Sequence, residues 1–394
     1  MRNRWVNAAI PALLIHCSIG TVYCWSTFKE AIAESIQMST FSVGWAFSLA
    51  IFFLGISAAF AGRMVETNIH RSSFISALCF SGGMIGTGLS IQYLSGVPAL
   101  IGIYLSYGVL MGIGLGIGYI TPVKTIMLWF SDHKGLATGI SIMGFGLAKA
   151  IATPIMERLQ ESVGIVGMFF VLGLVYLFAM LVGHILLKKP VDWIEEAASK
   201  NRLNIKKSTF ICIWLMFFIN IHCGLMLITY EKQLIGTVFP GITTLLLIIP
   251  SVTALFNAFG RIGYSTLSDK LSDRNTVYRI IFITCCGIAL ATLVSGMVGI
   301  LVVVLLLIVN AGYGGGFSTL PALLSERFGM ANVSQIHGLT LTAWAIAGLT
   351  GNNMSEAILN CGGSYTTILS VVMVLYLIGF AIAVIEFRRA KNAY

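Results

Sequence analysis

The chain has 394 residues and a formal net charge of +9, with 57% hydrophobic and only 10% charged side chains. A soluble domain carries about 25% charged residues, so 24 basic and 15 acidic groups cannot cover a soluble surface. A cytosolic enzyme, a disordered chain and a secreted disulfide scaffold are excluded, and a polytopic membrane protein remains.

Taken in chain order, apolar runs fall at roughly 5–27, 41–62, 73–94, 98–122, 135–156, 165–187, 208–230, 242–266, 277–296, 299–321, 336–358 and 365–387. Each is near the ~20 residues that a helix needs to cross hydrocarbon. Alternating barrel patterning is absent, so the expected fold is an all-α membrane protein with twelve transmembrane helices. The first run is too long for a signal-peptide core and lacks a small-residue cleavage site, so it counts as a span. The longest polar stretch, 190–207, separates six spans from six. The expected domains are therefore 1–189, a cytoplasmic linker at 190–207, and 208–394.

Nineteen of the 24 Lys and Arg residues lie in the termini and the even-to-odd loops; Lys29, Arg158 and Lys232 lie in the opposite loops. By the positive-inside rule both termini are cytoplasmic and the protein sits in the cytoplasmic (inner) membrane as a multi-pass chain. The basic residues occupy short loops, which leaves no surface to hold nucleic acid. The eight cysteines lie almost all in apolar runs and read as reduced core residues. No metal-ligand spacing, nucleophile motif or cofactor fingerprint is present, so no metal, cofactor or catalytic residue is expected. The glycines at 112, 114, 116 and 118 lie in an apolar span with no preceding strand, so they serve helix packing and not phosphate binding.

One short match suggests a repeat. Ile15-His16-Cys17 in the first span is echoed by Ile221-His222-Cys223 in the seventh, 206 residues on. Parallel six-helix repeats with a midplane site are a secondary-transporter plan.

The loops after spans 2 and 8 carry a further pattern. Gly62-Arg63-Met64-Val65-Glu66-Thr67-Asn68-Ile69-His70-Arg71 and Ser265-Thr266-Leu267-Ser268-Asp269-Lys270-Leu271-Ser272-Asp273-Arg274 resemble the major facilitator G-x-L-x-D-R-x-G-R-R loop. Glu66 stands where that loop has Asp, and the second copy lacks both glycines. The resemblance implies a cytoplasmic gate at Glu66, Arg71, Asp269 and Lys270.

Other segments resemble the oxalate/formate antiporter family within that superfamily. They are Gly20 to Ser26, the long stretch from Gly114 through Pro122 and Asp132 to Gly139, Gly260-Arg261-Ile262, Leu267 to Lys270, Tyr313-Gly314-Gly315 and Thr342-Ala343-Trp344. The resemblance covers nearly the whole chain. It implies exchange or proton-linked transport of small carboxylates, and it places a substrate arginine at Arg261. It also implies a lysine on span 11 in members that carry oxalate, where this chain has Trp344.

Arg261 is the leading site residue on physical grounds too. An intramembrane charge costs a few kcal/mol even on insertion scales, so it needs a partner, a cavity or a substrate. Thr253, Asn257, Arg261, Tyr264 and Ser268 share one helical face, and a guanidinium matches a carboxylate bidentately. The alternative is a gate arginine paired with Asp269 or snorkelling inward. Lys149 lies fourteen residues past Gly135, about 21 Å into span 5; it either supplies a second cation or snorkels outward near Glu157 and Glu161. His16 and His222 are candidates for substrate contact or proton coupling, with packing as the alternative. Tyr23, Tyr119, Tyr313 and Trp344 can shape a small aromatic box.

These features describe a monomeric secondary transporter of small organic anions working by alternating access. Pyruvate, lactate or formate suits a single cation, and oxalate remains open, with a proton or a counter-transported anion as coupling partner. The rivals are a broad-specificity major facilitator efflux carrier and a transporter-like nutrient sensor. A sensor would carry a signalling extension, and the tails here are a few residues long.

Overall fold

In the computed structural model, residues 3–190 and 205–391 are described; most of the expected linker, 191–204, lies outside them. The described residues are helical and contain no strand, and ten helices are long and apolar enough to cross a membrane. The lipid-facing character shows in side chains left bare, such as Phe60 at 83% and Phe178 at 72% exposure. In water such residues would favour burial by about 2 kcal/mol each, so their exposure requires a hydrocarbon solvent.

The helices are α1 (Trp5–Ile36), α2 (Thr40–Thr67), α3 (Ile69–Tyr93), α4 (Gly96–Trp129), α5 (Lys134–Leu186), α6 (Lys207–Ile228), α7 (Glu231–Val238), α8 (Thr243–Ser268), α9 (Asn275–Val294), α10 (Gly299–Phe328), α11 (Val333–Thr340), α12 (Thr342–Asn360) and α13 (Tyr365–Lys391). Two features reconcile ten long helices with twelve crossings. The 53 residues of α5 would run about 80 Å as a straight helix, far beyond a hydrocarbon core of about 30 Å. Gly164, at φ 72° and ψ 174°, breaks the helix there; this conformation costs a residue without a side chain little. The fifth and sixth crossings therefore share one helix with a glycine corner, where the apolar runs had suggested a loop at 157–164. The eleventh crossing is split the opposite way, into α11 and α12, which meet at Leu341.

The chain divides into two compact units. The first comprises residues 1–200 together with 330–345, and the second comprises 201–329 together with 346–394. The segment of α11 and the start of α12 thus belongs with the N-terminal helices.

Close helix approach in each unit depends on glycine. In the first unit a Cβ at Gly20 would fall 2.8 Å from the Cα of Phe145, so α1 and α5 touch backbone to backbone. Ser76 Oγ donates 2.7 Å to the Gly114 carbonyl, tying α3 to the glycine run of α4. In the second unit a Cβ at Gly260 would strike the Ala311 carbonyl, and one at Gly314 the Asn257 carbonyl. Small residues let the dispersion and weak hydrogen bonds of a membrane interface act at short range.

Candidate functional site

The first unit holds a buried layer of rings. Tyr119 on α4 lies 5.5 Å from Trp344 on α12, 5.4 Å from Phe145 on α5 and 5.3 Å from His16 on α1, centroid to centroid. Phe145 also meets Trp344 at 5.8 Å and Tyr23 at 5.3 Å. Most of these contacts are edge-to-face, the arrangement that aromatic quadrupoles favour. Three residues named from sequence, His16, Tyr119 and Trp344, are brought together here with almost no exposed surface; Tyr23 stands at the margin, half-buried.

His16 is held at both ring nitrogens. Nδ1 lies 2.7 Å from the Ser141 carbonyl and 2.9 Å from its hydroxyl, and Nε2 lies 3.0 Å from the Tyr119 carbonyl. Both ring nitrogens thus face a carbonyl oxygen, which accepts an N–H, and Nδ1 also lies beside the Ser141 hydroxyl. The residue thereby fastens α1, α4 and α5 to one another around the ring layer.

Lys149 is half-buried on α5, one turn beyond Phe145. The i,i+4 relation puts both residues on the same helix face. Its carbonyl lies 4.0 Å from Cys24 Sγ on α1, and no carboxylate among the described residues pairs with its ammonium group; Glu161 pairs with Arg158 at 3.2 Å.

The second unit buries a cation. Arg261 on α8 is 1% exposed. Its Nε donates to Asn257 Oδ1 at 3.0 Å, and its guanidinium lies 5.3 Å from the Phe317 ring centroid on α10. Ser318 Oγ donates 2.6 Å to the Arg261 carbonyl, which locks the backbone of α8 to α10 at this level. Tyr313 packs on Phe317 at 5.1 Å, and its ring fills the space beside Gly224 on α6. Asn257, Arg261 and Tyr313 therefore surround one α8–α10 contact. On the same α8 face, Thr253 donates 2.8 Å to the buried carboxylate of Glu231 at the start of α7. His222 lies elsewhere in this unit: Nδ1 is 3.0 Å from Thr350 Oγ1 and Nε2 is 3.3 Å from Met354 Sδ.

One end of each unit carries buried charge. Glu66 on α2 pairs with Lys124 on α4. Glu66 Oε1 also accepts the Ser334 backbone N–H at 2.6 Å, and Lys124 donates 3.2 Å to the Ala331 carbonyl. The pair thus grips the first turn of α11, where a carboxylate is favoured by the exposed N–H groups. In the second unit Asp269 pairs with Arg274 at 3.0 Å, Arg274 with Glu326 at 2.7 Å, and Arg327 with Asp273 and Glu386 at 2.7 Å each. Arg71 and Lys270, the basic members of the expected gate, are exposed. In that stretch of loop it is Asn68 that acts locally, its Oδ1 accepting the Arg71 backbone N–H to cap α3.

Sequence reasoning missed Lys124, Arg327, Phe145, Phe317 and His337, which only tertiary packing joins to the residues it named. Lys124 and Arg327 carried a signal: each follows a proline, Pro122 or Pro321, near the end of a glycine-rich span.

Residues 12–352 match the Major Facilitator Superfamily. The chain is 25% identical over 390 residues to the oxalate:formate antiporter of Oxalobacter formigenes, covering 97% of this chain and 91% of that protein. It is also 25% identical over 355 residues to an uncharacterized MFS-type transporter, YhjX, of Escherichia coli (strain K12), covering 88% and 86%. Among solved structures, a bacterial homologue of the iron transporter ferroportin in its outward-facing state shares the fold with a TM-score of 0.75 at 12% identity, over 96% of this chain and 98% of that one. The chain belongs to the major facilitator superfamily. It is a multi-pass membrane transporter and not an enzyme.

Proposed function

We propose that the protein is a secondary transporter of small organic anions, with monocarboxylates such as pyruvate, lactate or formate as preferred substrates. The observation that carries this reading is the buried guanidinium of Arg261, oriented by Asn257 and backed by Phe317. A carboxylate is the ligand whose geometry a guanidinium fits in two parallel bonds. The oxalate:formate antiporter, similar along 97% of the chain, is a carrier of this substrate class. Tyr313, packed on Phe317 in the same unit, adds an aromatic surface and a hydroxyl suited to a two- or three-carbon acid. Lys149 is the residue on which a dianion such as oxalate would depend.

In this reading the carrier is a monomer in the cytoplasmic membrane with both termini inside. It works by alternating access, and a proton or a second anion is the coupled species. In this reading Glu66, through Lys124 on α4, and Asp269, through Arg274 just before α9, lie at the cytoplasmic ends of their units. The test is uptake of labelled pyruvate into proteoliposomes, with formate, lactate, oxalate and a neutral sugar as competitors. The monocarboxylates should compete and the sugar should not. Competition by bulky neutral or cationic compounds, with none by carboxylates, would replace this reading with a broad efflux carrier.

A further inference from the structure

One buried titratable side chain has no part in the reading above. His337 on α11 is 1% exposed, and its Nε2 has no hydrogen-bond partner among the described residues. Its ring lies 5.9 Å from that of Tyr119, the same ring that packs 5.3 Å from His16. His16 and His222 differ from it in having both ring nitrogens engaged. In the packed layer around Tyr119, Nε2 of His337 is a buried ring nitrogen open to a proton.

We propose that His337 is the proton-binding residue of this carrier and takes up one proton with each carboxylate; this rests on the anion reading above. Imidazole is the side chain whose charge changes near neutral pH, and a proton on the unpartnered nitrogen turns it into a donor. One carboxylate plus one proton adds no net charge. The loaded carrier then faces the same electrostatic cost of reorientation as the empty one, which matters where an extra charge costs several kcal/mol.

The surroundings suit a proton that must also leave. α11 packs against α2 and α4. The titratable groups of α2 are Arg63 and Glu66, and those of α4 are Tyr104, Tyr107, Tyr119 and Lys124. Arg63 is exposed, and Glu66 and Lys124 neutralise each other at the first turn of α11. Tyr119 is the group whose ring meets His337, with His16 on the same tyrosine. No carboxylate is thus left over on these elements to hold the proton permanently.

The experiment uses the full-length protein in proteoliposomes, with KM for labelled pyruvate measured across the histidine range, about pH 5.5 to 8.5. In the wild type KM should rise about tenfold per pH unit on the alkaline side, the slope of one linked proton. His337→Gln keeps the size and an N–H donor but cannot titrate, so its KM should be flat. His337→Asn gives the same reading should the glutamine variant fail to fold. The slope should persist in His16→Gln whatever its rate. Wild-type pyruvate uptake should also acidify the lumen, read with a trapped pH dye. A full slope in His337→Gln, or pyruvate uptake without proton movement, would overturn the inference and leave the anion carrier standing. No carboxylate uptake by the wild type would overturn both.

Discussion

The two units share a helical plan but use it for different chemistry. In the first, α4 runs through glycines 112, 114, 116 and 118 to Tyr119, then Pro122 and Lys124. In the second, α10 runs through glycines 312, 314, 315 and 316 to Phe317, then Pro321 and Arg327. In each, the glycines admit neighbouring helices, the aromatic ring lies beside the candidate site, and the basic residue pairs with acids from neighbouring segments. The difference lies two helices earlier, on α2 and α8. Arg261 is eight residues ahead of Asp269, and eight residues ahead of Glu66 is Ala58. Ala58 spends that position on packing, with its carbonyl against Gly338 of α11. At this position the second unit thus buries an arginine where the first packs an alanine.

The buried ends of the two units provide the largest test of this comparison. In the first, Glu66 and Lys124 form an isolated pair with side-chain exposures of 2% and 5%. Glu66→Gln should cost about 3–5 kcal/mol, because it strands a buried ammonium. The double variant Glu66→Gln with Lys124→Met should recover much of that. In the second unit Arg274 holds both Asp269 and Glu326, so Asp269→Asn should cost less. Thermal unfolding in detergent reads all three, and equal losses for Glu66→Gln and Asp269→Asn would erase the distinction.

The glycine contacts come next. Gly114→Ala and Gly314→Ala place a methyl against backbone, of Phe80 and Asn257 respectively. Each should destabilise by about 1–3 kcal/mol or more through overpacking. Gly263→Ala on α8 meets nothing within 4 Å and should be neutral or stabilising by up to about 1 kcal/mol. A loss at Gly263 as large as that at Gly314 would show that helix position, and not close approach, governs these sites.

The smallest expected effect is on selectivity. Lys149→Ala should leave pyruvate uptake within about twofold, since a monoanion needs one cation. Strong oxalate inhibition in the wild type that vanishes in Lys149→Ala would assign a second cation to the site and move the preferred substrate towards dicarboxylates.

Much of this was legible in the sequence because membrane helices announce themselves locally. Length and apolarity are properties of 20 consecutive residues, so the crossings and the polar face of α8 could be read directly. An intramembrane arginine is conspicuous for the same reason. Features set by contacts between distant residues were not legible. The apolar runs suggested a loop at 157–164, but only the backbone shows α5 continuing to a corner at Gly164. His337 sits in a stretch that reads as an ordinary span, and its unpartnered nitrogen emerges only when Tyr119, 218 positions earlier, is packed against it. Lys124 was counted as a loop charge, because nothing local to it reveals Glu66 and Ser334 as its surroundings.

The central claim, that Arg261 binds the carboxylate, is tested most directly by initial rates of labelled pyruvate uptake in wild type, Arg261→Lys and Arg261→Ala at matched amounts of reconstituted protein. Lysine keeps the charge but loses the two-pronged geometry and the bond from Nε to Asn257. The account predicts a fall of about tenfold or more in Arg261→Lys, equivalent to at least about 1.4 kcal/mol, and no measurable uptake in Arg261→Ala. Uptake by Arg261→Ala near the wild-type rate would contradict it.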